Sequence, residues 1–179
     1  KRIEQALASL GTAAGELKGI LITHEHSDHI QGIGVLARRY GIPLYGTAET
    51  LCGMLKGRTN IGRIPEELLH EVKPGETLWF DGLVAKAHSV SHDAANPVCY
   101  TFEADGKKAS MVTDLGMYDQ SILDAVAILS PFLTNINAPE PTVSTPGIKE
   151  VMGSQPSAVM MRYRSMSSSF SFAITSSIT

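Results

Sequence analysis

An α+β fold is expected from three features of this 179-residue sequence. Helical and strand periodicities alternate between Ile3 and Leu55, and two hairpin patterns with Asp-Gly turns follow between Thr77 and Thr113. The apolar run Gly19-Ile20-Leu21-Ile22 ends in a cluster of imidazoles and a carboxylate, which places chemistry at a strand end.

The elements follow in order. Ile3, Ala6, Leu7 and Leu10 fall at helical spacing and Gly11 stops the pattern, so a helix comes first. Leu17 to Thr23 then reads as a buried strand. Ile33, Val35, Leu36 and Tyr40 predict a second helix, ended by Gly41-Ile42-Pro43, and Leu44-Tyr45 suits a second strand. Thr47 to Leu55 and Pro65 to Val72 predict short helices forming a rim beside the site, the latter with Pro65 in its first turn and Glu66 and Glu67 favouring the dipole. His70 is expected on the surface of that helix. Leu78-Trp79-Phe80, Asp81-Gly82 and Leu83-Val84-Ala85 make a hairpin, and Val98 to Glu103 pairs with Lys108 to Thr113 around Asp105-Gly106. Tyr118 to Val126 returns to helix. Beyond Ile128 the character changes: Asn135 to Pro141 has turn chemistry throughout, and Ser165 to Ser171 is Ser-rich with no clear period. One domain is therefore expected over 1–128, with an atypical Ser/Pro/Met-rich segment over 129–179 that packs poorly, above all from 142 onward.

Composition bounds the function. An apolar content of 43% lets the chain bury one sizeable core. The net charge of -3 and pI near 6.1 give no general attraction for nucleic acid, so such a substrate would be held by the site and its rim. Cys52 and Cys99 make neither a disulfide framework nor a thiolate metal cluster; each is expected to be a small apolar filler in a reducing, cytoplasmic compartment. No stretch is long and apolar enough to span a bilayer, so no membrane partner is expected. Lys1-Arg2-Ile3-Glu4-Gln5 looks like an amphipathic helix start with no signal-peptide core behind it.

Thr23-His24-Glu25-His26-Ser27-Asp28-His29 carries the chemistry. In an extended segment His24 and His26 point to one side and can reach one ion, while Asp28 and His29, on a turning backbone, can face a second. A polar loop capping a helix near Ile30, with Asp28 as N-cap, is the competing reading, but it leaves three imidazoles unexplained. In Ser91-His92-Asp93-Ala94, His92 would complete a three-imidazole set; His88, inside a strand-like run, competes as a half-buried satisfied histidine. Asp93 is either an acceptor orienting an imidazole or a plain turn residue. In Met111-Val112-Thr113-Asp114-Leu115-Gly116 a carboxylate stands at a strand tip. Its two oxygens suit Asp114 to bridge cations about 3.5 to 4 Å apart, which an imidazole cannot do.

The ordered set His-x-His-x-Asp-His, a later His loop and a strand-end Asp resembles the metallo-β-lactamase fold superfamily. Leu21 to Ile30, the loop Ser91 to Ala94 with Pro97-Val98 and Tyr100, and Thr113 to Gly116 are similar to its YycJ/WalJ branch. Over residues 1–128 the resemblance implies a four-layer αββα fold and a metal-dependent phosphodiesterase with 5'-to-3' DNA exonuclease activity. It implies two divalent ions, zinc or manganese: His24, His26 and His92 at one, Asp28 and His29 at the other, Asp114 between them. Asp28 and Asp114 are then the catalytic carboxylates, and a metal-bridged hydroxide the nucleophile. Family members begin with extra strands upstream, and after the bridging Asp they continue through a Glu-Ala-Asn-His-Asp-like strand and a Gly-His-Leu-Ser-like loop. Neither motif follows Ile128, so the fold is expected to be incomplete at both ends, in a fragment whose reading frame shifts near residues 128 to 135. The alternatives are a small-molecule metallo-hydrolase acting on a thioester, lactone or lactam, since the same ion pair serves many substrates, and a catalytically inactive fragment.

Overall fold

The computed structural model describes residues 2–117, 120–127, 148–151, 159–164 and 169–175, the last three segments as strand backbone. Helix α1 (Arg2–Ser9) leads through a short turn at Ala14–Glu16 to β1 (Ile20–Ile22), α2 (Ser27–Ile30), α3 (Ile33–Tyr40), β2 (Leu44–Gly46) and α4 (Ala48–Lys56). A 3-10 turn at Glu66–Leu68 precedes β3 (Leu69–Glu71), and then come β4 (Thr77–Phe80), β5 (Leu83–Ser89), β6 (Val98–Ala104) and β7 (Lys107–Met111). Helix α5 (Gln120–Ala127) and strands β8 (Ile148–Val151), β9 (Val159–Arg164) and β10 (Ser169–Thr175) complete the described chain.

Two sheets form, one in the order β3-β2-β1-β10-β9-β8 and one in the order β4-β5-β6-β7. Alternation along β1 shows how they stack. Ile20 and Ile22 pack with Leu7 of α1, Leu36 of α3 and Met54 of α4, whereas Leu21 packs with Ala85, Tyr100 and Phe102 of the second sheet. Along β6, Val98, Tyr100 and Phe102 face that inner core, and Cys99 turns outward to Val90 and Ile122 of α5. Helices, sheet, sheet and helix therefore stack as the αββα layers that the resemblance implied.

The local signals act as their chemistry dictates. Gly41 takes a left-handed φ of 64° and closes α3 through its N–H to the Ala37 carbonyl. In the first hairpin Asp81 and Gly82 both have positive φ, 44° and 97°, the conformation whose twist matches that of paired strands.

The structure corrects two expectations here. Pro65 to Val72 is not a helix: Leu69, His70 and Glu71 pair in parallel with Leu44, Tyr45 and Gly46, and the His70 ring stacks on Tyr45 at 4.9 Å. Three half-exposed residues on a sheet edge leave no alternation to read, and the acidic first turn after a proline mimics a helix start. Cys52 is exposed on α4, and only Cys99 is a buried filler.

Of the segment 129–179, strands β8, β9 and β10 are described. They form an antiparallel meander whose last strand lies parallel to β1, with Ile20 opposite Ala173 and Ile22 opposite Thr175. Phe170, Phe172 and Ile174 alternate with Ser169, Ser171 and Ala173, a period of two that the Ser-rich composition hides. Asn135 to Pro141 and Tyr118 lie outside the described residues. Among those described, no helix is long and apolar enough to cross a membrane.

Candidate metal centre

The site forms where β1 ends. Ile20–Ile22 are fully buried, so the chain leaves the sheet at Thr23 from a fixed point, and two bonds hold that point to the second sheet. The Tyr100 hydroxyl donates to the Ile22 carbonyl at 3.1 Å, and the Val98 N–H donates to the Thr23 carbonyl at 2.9 Å. Burial pushes the Tyr100 hydroxyl's pKa far up, so it stays a donor. From this fixed point His24, Glu25 and His26 lead into α2, His26 in extended conformation at its N-cap.

Three imidazoles from two distant stretches converge. The His24 and His26 ring centroids lie 4.6 Å apart, His24 and His92 4.7 Å, and His26 and His92 4.9 Å. His92 Nε2 is 3.2 Å from His26 Nδ1, and its other ring nitrogen is 3.1 Å from the Asp93 carboxylate. Asp93 thus supplies an acceptor that turns His92 Nε2 inward. On the other side of His24, the buried His29 ring lies at 4.0 Å, and His29 Nε2 is 3.1 Å from Asp114 Oδ2. Asp114 reaches in from a left-handed backbone, φ 52°, a conformation Asp tolerates better than most residues. The Gly116 N–H then donates to the Ser91 carbonyl at 2.7 Å, tying the Asp114 turn to the His92 loop.

Two donor groups result, His24-His26-His92 and His24-His29-Asp114, each with its ligand atoms within 4.8 Å of one another. The residues fit a divalent cation. Burial, then the neighbouring His29, His26 and His92 rings, hold the His24 pKa down at about 3, so the ring is neutral and keeps a lone pair. Thr23 Oγ1 lies 3.1 Å from His24 Nδ1, whereas His24 Nε2 is buried with no hydrogen-bond partner among the described residues. Asp114 Oδ2 is buried as well, with His29 Nε2 at 3.1 Å as its close polar neighbour. Leaving the His24 nitrogen unmet costs roughly 1–3 kcal/mol, and a cation bound there would meet it.

Five of the six anticipated ligands come together, though in a different partition. His24 is common to both groups, and Asp114, expected between the two ions, groups with His29 and His24. Asp28 lies outside both groups: its side chain is 52% exposed and its Oδ2 is 3.8 Å from His29 Nε2. Nor does it cap α2, because the helix begins one residue earlier and His26 occupies the N-cap position. His88 is held by Thr101 Oγ1 at 2.8 Å as a satisfied strand histidine. Two residues of the motif, Thr23 and Glu25, were assigned no role from sequence. Their signal is phase: Glu25 alternates with the two histidines and so faces away from the ion side.

The family described as Beta-lactamase superfamily domain matches residues 2–153. Exodeoxyribonuclease WalJ of Streptococcus pneumoniae is 36% identical over 137 residues, 76% of this chain and 51% of its own length. Exodeoxyribonuclease YycJ of Bacillus anthracis is 35% identical over 68% of this chain and 45% of its own. The chain therefore spans about half the length of these curated relatives. Among solved structures, a subclass B3 metallo-beta-lactamase isolated from a soil metagenome library superposes with a TM-score of 0.52 at 26% identity, over 63% of this chain and 47% of that one.

Proposed function

Because the chain belongs to the beta-lactamase superfamily, we propose that it carries the metal-binding half of a metal-dependent phosphodiesterase, a 5'-to-3' DNA exonuclease working in the cytoplasm. The observation that supports this reading most is the meeting of two donor groups at His24. His24, His26 and His92 would hold one divalent cation, and His29 and Asp114 a second, with Asp28 at its rim; zinc or manganese suits imidazole and carboxylate donors. Cations held there supply Lewis acidity and lower the pKa of water.

The chain's own residues do the rest. Asp93 accepts from His92 and fixes its tautomer, while Thr23 Oγ1 occupies the far nitrogen of His24. Asp28 Oδ2, 3.8 Å from His29 Nε2 and half open to solvent, would accept a proton there. Ile20, Leu21 and Ile22, the strand that leads into the site, are fully buried.

Digestion of 5'-labelled DNA with manganese tests the proposal. Metal-dependent release of 5' nucleotides is expected, and His26→Ala or Asp114→Asn should abolish it, a loss of at least about 10²-fold. Near-wild-type turnover by either variant would defeat the assignment. A second reading, hydrolysis of a small ester or lactam, is favoured by the metallo-beta-lactamase neighbour and by the net charge of -3. Turnover of a lactam or thioester without DNA cleavage would establish it instead.

A further inference from the structure

His92 stands on the loop between β5 and β6, which has no sheet pairing across its middle, yet the ring must meet His26 within a few ångströms. Its two ends are tied by backbone bonds, Gly116 N–H to the Ser91 carbonyl and Val98 N–H to the Thr23 carbonyl. The middle is held differently. The Ala95 N–H donates to Glu25 Oε1 at 2.8 Å, and the Asn96 carbonyl accepts from Thr47 Oγ1 at 2.8 Å and from Thr50 Oγ1 at 3.3 Å. The Asn96 side-chain amide donates to Glu49 Oε2 at 2.9 Å. Thr47 and Thr50, the N-cap and an early residue of α4, are both buried.

We propose that Glu25 and the first turn of α4 clamp this loop and set His92 against His26, making Glu25 a positioning residue for the His24-His26-His92 group. The proposal rests on the metal-site reading above. Glu25 belongs to the ion loop itself, so one side chain joins the stretch carrying two imidazoles to the stretch carrying the third. Helix α4 makes room for it at Gly53, where a Cβ would lie 2.8 Å from Glu25 Cγ. Glu25 Oε2 is buried with no hydrogen-bond partner among the described residues. That arrangement is costly to local stability, so anchoring the loop, rather than stabilising its own surroundings, accounts for a carboxylate there.

Cobalt(II) titration against a competing chelator, with amide exchange on the metal-free protein, tests this on the chain as it stands. Glu25→Ala should speed exchange at the Ala95 amide and weaken cobalt binding about tenfold or more, a change typical of lost outer support. Glu25→Gln keeps an oxygen acceptor and should recover most of the affinity. Gly53→Ala should also weaken cobalt binding, because it displaces Glu25, although alanine is the better helix residue. Should Glu25→Ala fail to fold, Gly53→Ala and Thr50→Val carry the test. Wild-type cobalt affinity in Glu25→Ala, or a Glu25→Gln protein as weak as Glu25→Ala, overturns the clamp. A wild-type chain that takes up no cobalt overturns the metal-site reading and the clamp's purpose together, and is told apart by that single measurement.

Discussion

His24 is shared by both donor groups, and its neutrality sets how the metal-free protein answers to pH. Its folded pKa, about 3, lies below the ordinary 6.5, so between those values the unfolded chain binds the proton that the folded chain refuses. Stability is therefore full above pH 6.5 and declines as pH falls toward 3. Urea midpoints of chelator-treated protein between pH 8 and pH 5 should show this decline, and His24→Asn should flatten it. An equal slope in the variant would place the titration elsewhere. The two cysteines make a second residue-scale contrast. Cys99 is 1% exposed and burial pushes its thiol up to about 11, whereas Cys52 is exposed on α4. A disulfide reagent at pH 8 should modify one thiol in the native protein and both in denaturant; fast reaction of both would contradict the packing of β6 against α5.

At the scale of elements, close approach decides what a helix can carry. Gly34 of α3 packs directly on the Ile61 carbonyl, which an added Cβ would overlap. Gly34→Ala should therefore destabilise by roughly 1–3 kcal/mol in a urea titration, despite the usual helix preference for alanine. The elements legible in advance were those with a strong period or an unambiguous turn: α1 with Gly11 behind it, α3 ended by Gly41, and both Asp-Gly hairpins. Strand β3 was not legible, because three edge residues present no pattern and their pairing is set by β2 rather than by themselves. Strand β10 was hidden by composition, since serine at alternate positions looks like loop chemistry until the period is counted. The ligand types were legible from residue chemistry, but their partition was not. That Asp114 meets His29, while Asp28 turns to solvent, depends on where a left-handed turn and the first residue of α2 fall.

Across the whole molecule, the candidate ligands come from the stretch 24–29, the loop carrying His92 and the turn carrying Asp114, and these leave three different parts of the two-sheet core. An unfolded chain does not hold these groups together, so a cation that binds them binds mainly the folded state and stabilises it by mass action. At a free concentration of 100 times Kd the gain is about 2.7 kcal/mol. In a chain of this size that corresponds to a rise in Tm of roughly 5–10 °C. Thermal unfolding with excess zinc and with chelator should show this difference in the wild type. His24→Ala, which removes the residue common to both groups, should lose more of it than Asp28→Ala, which lies outside both. The ranking of these two variants is what separates a centre built around His24 from one built with Asp28 as a primary ligand. A larger loss from Asp28→Ala than from His24→Ala would reverse the partition argued from the geometry.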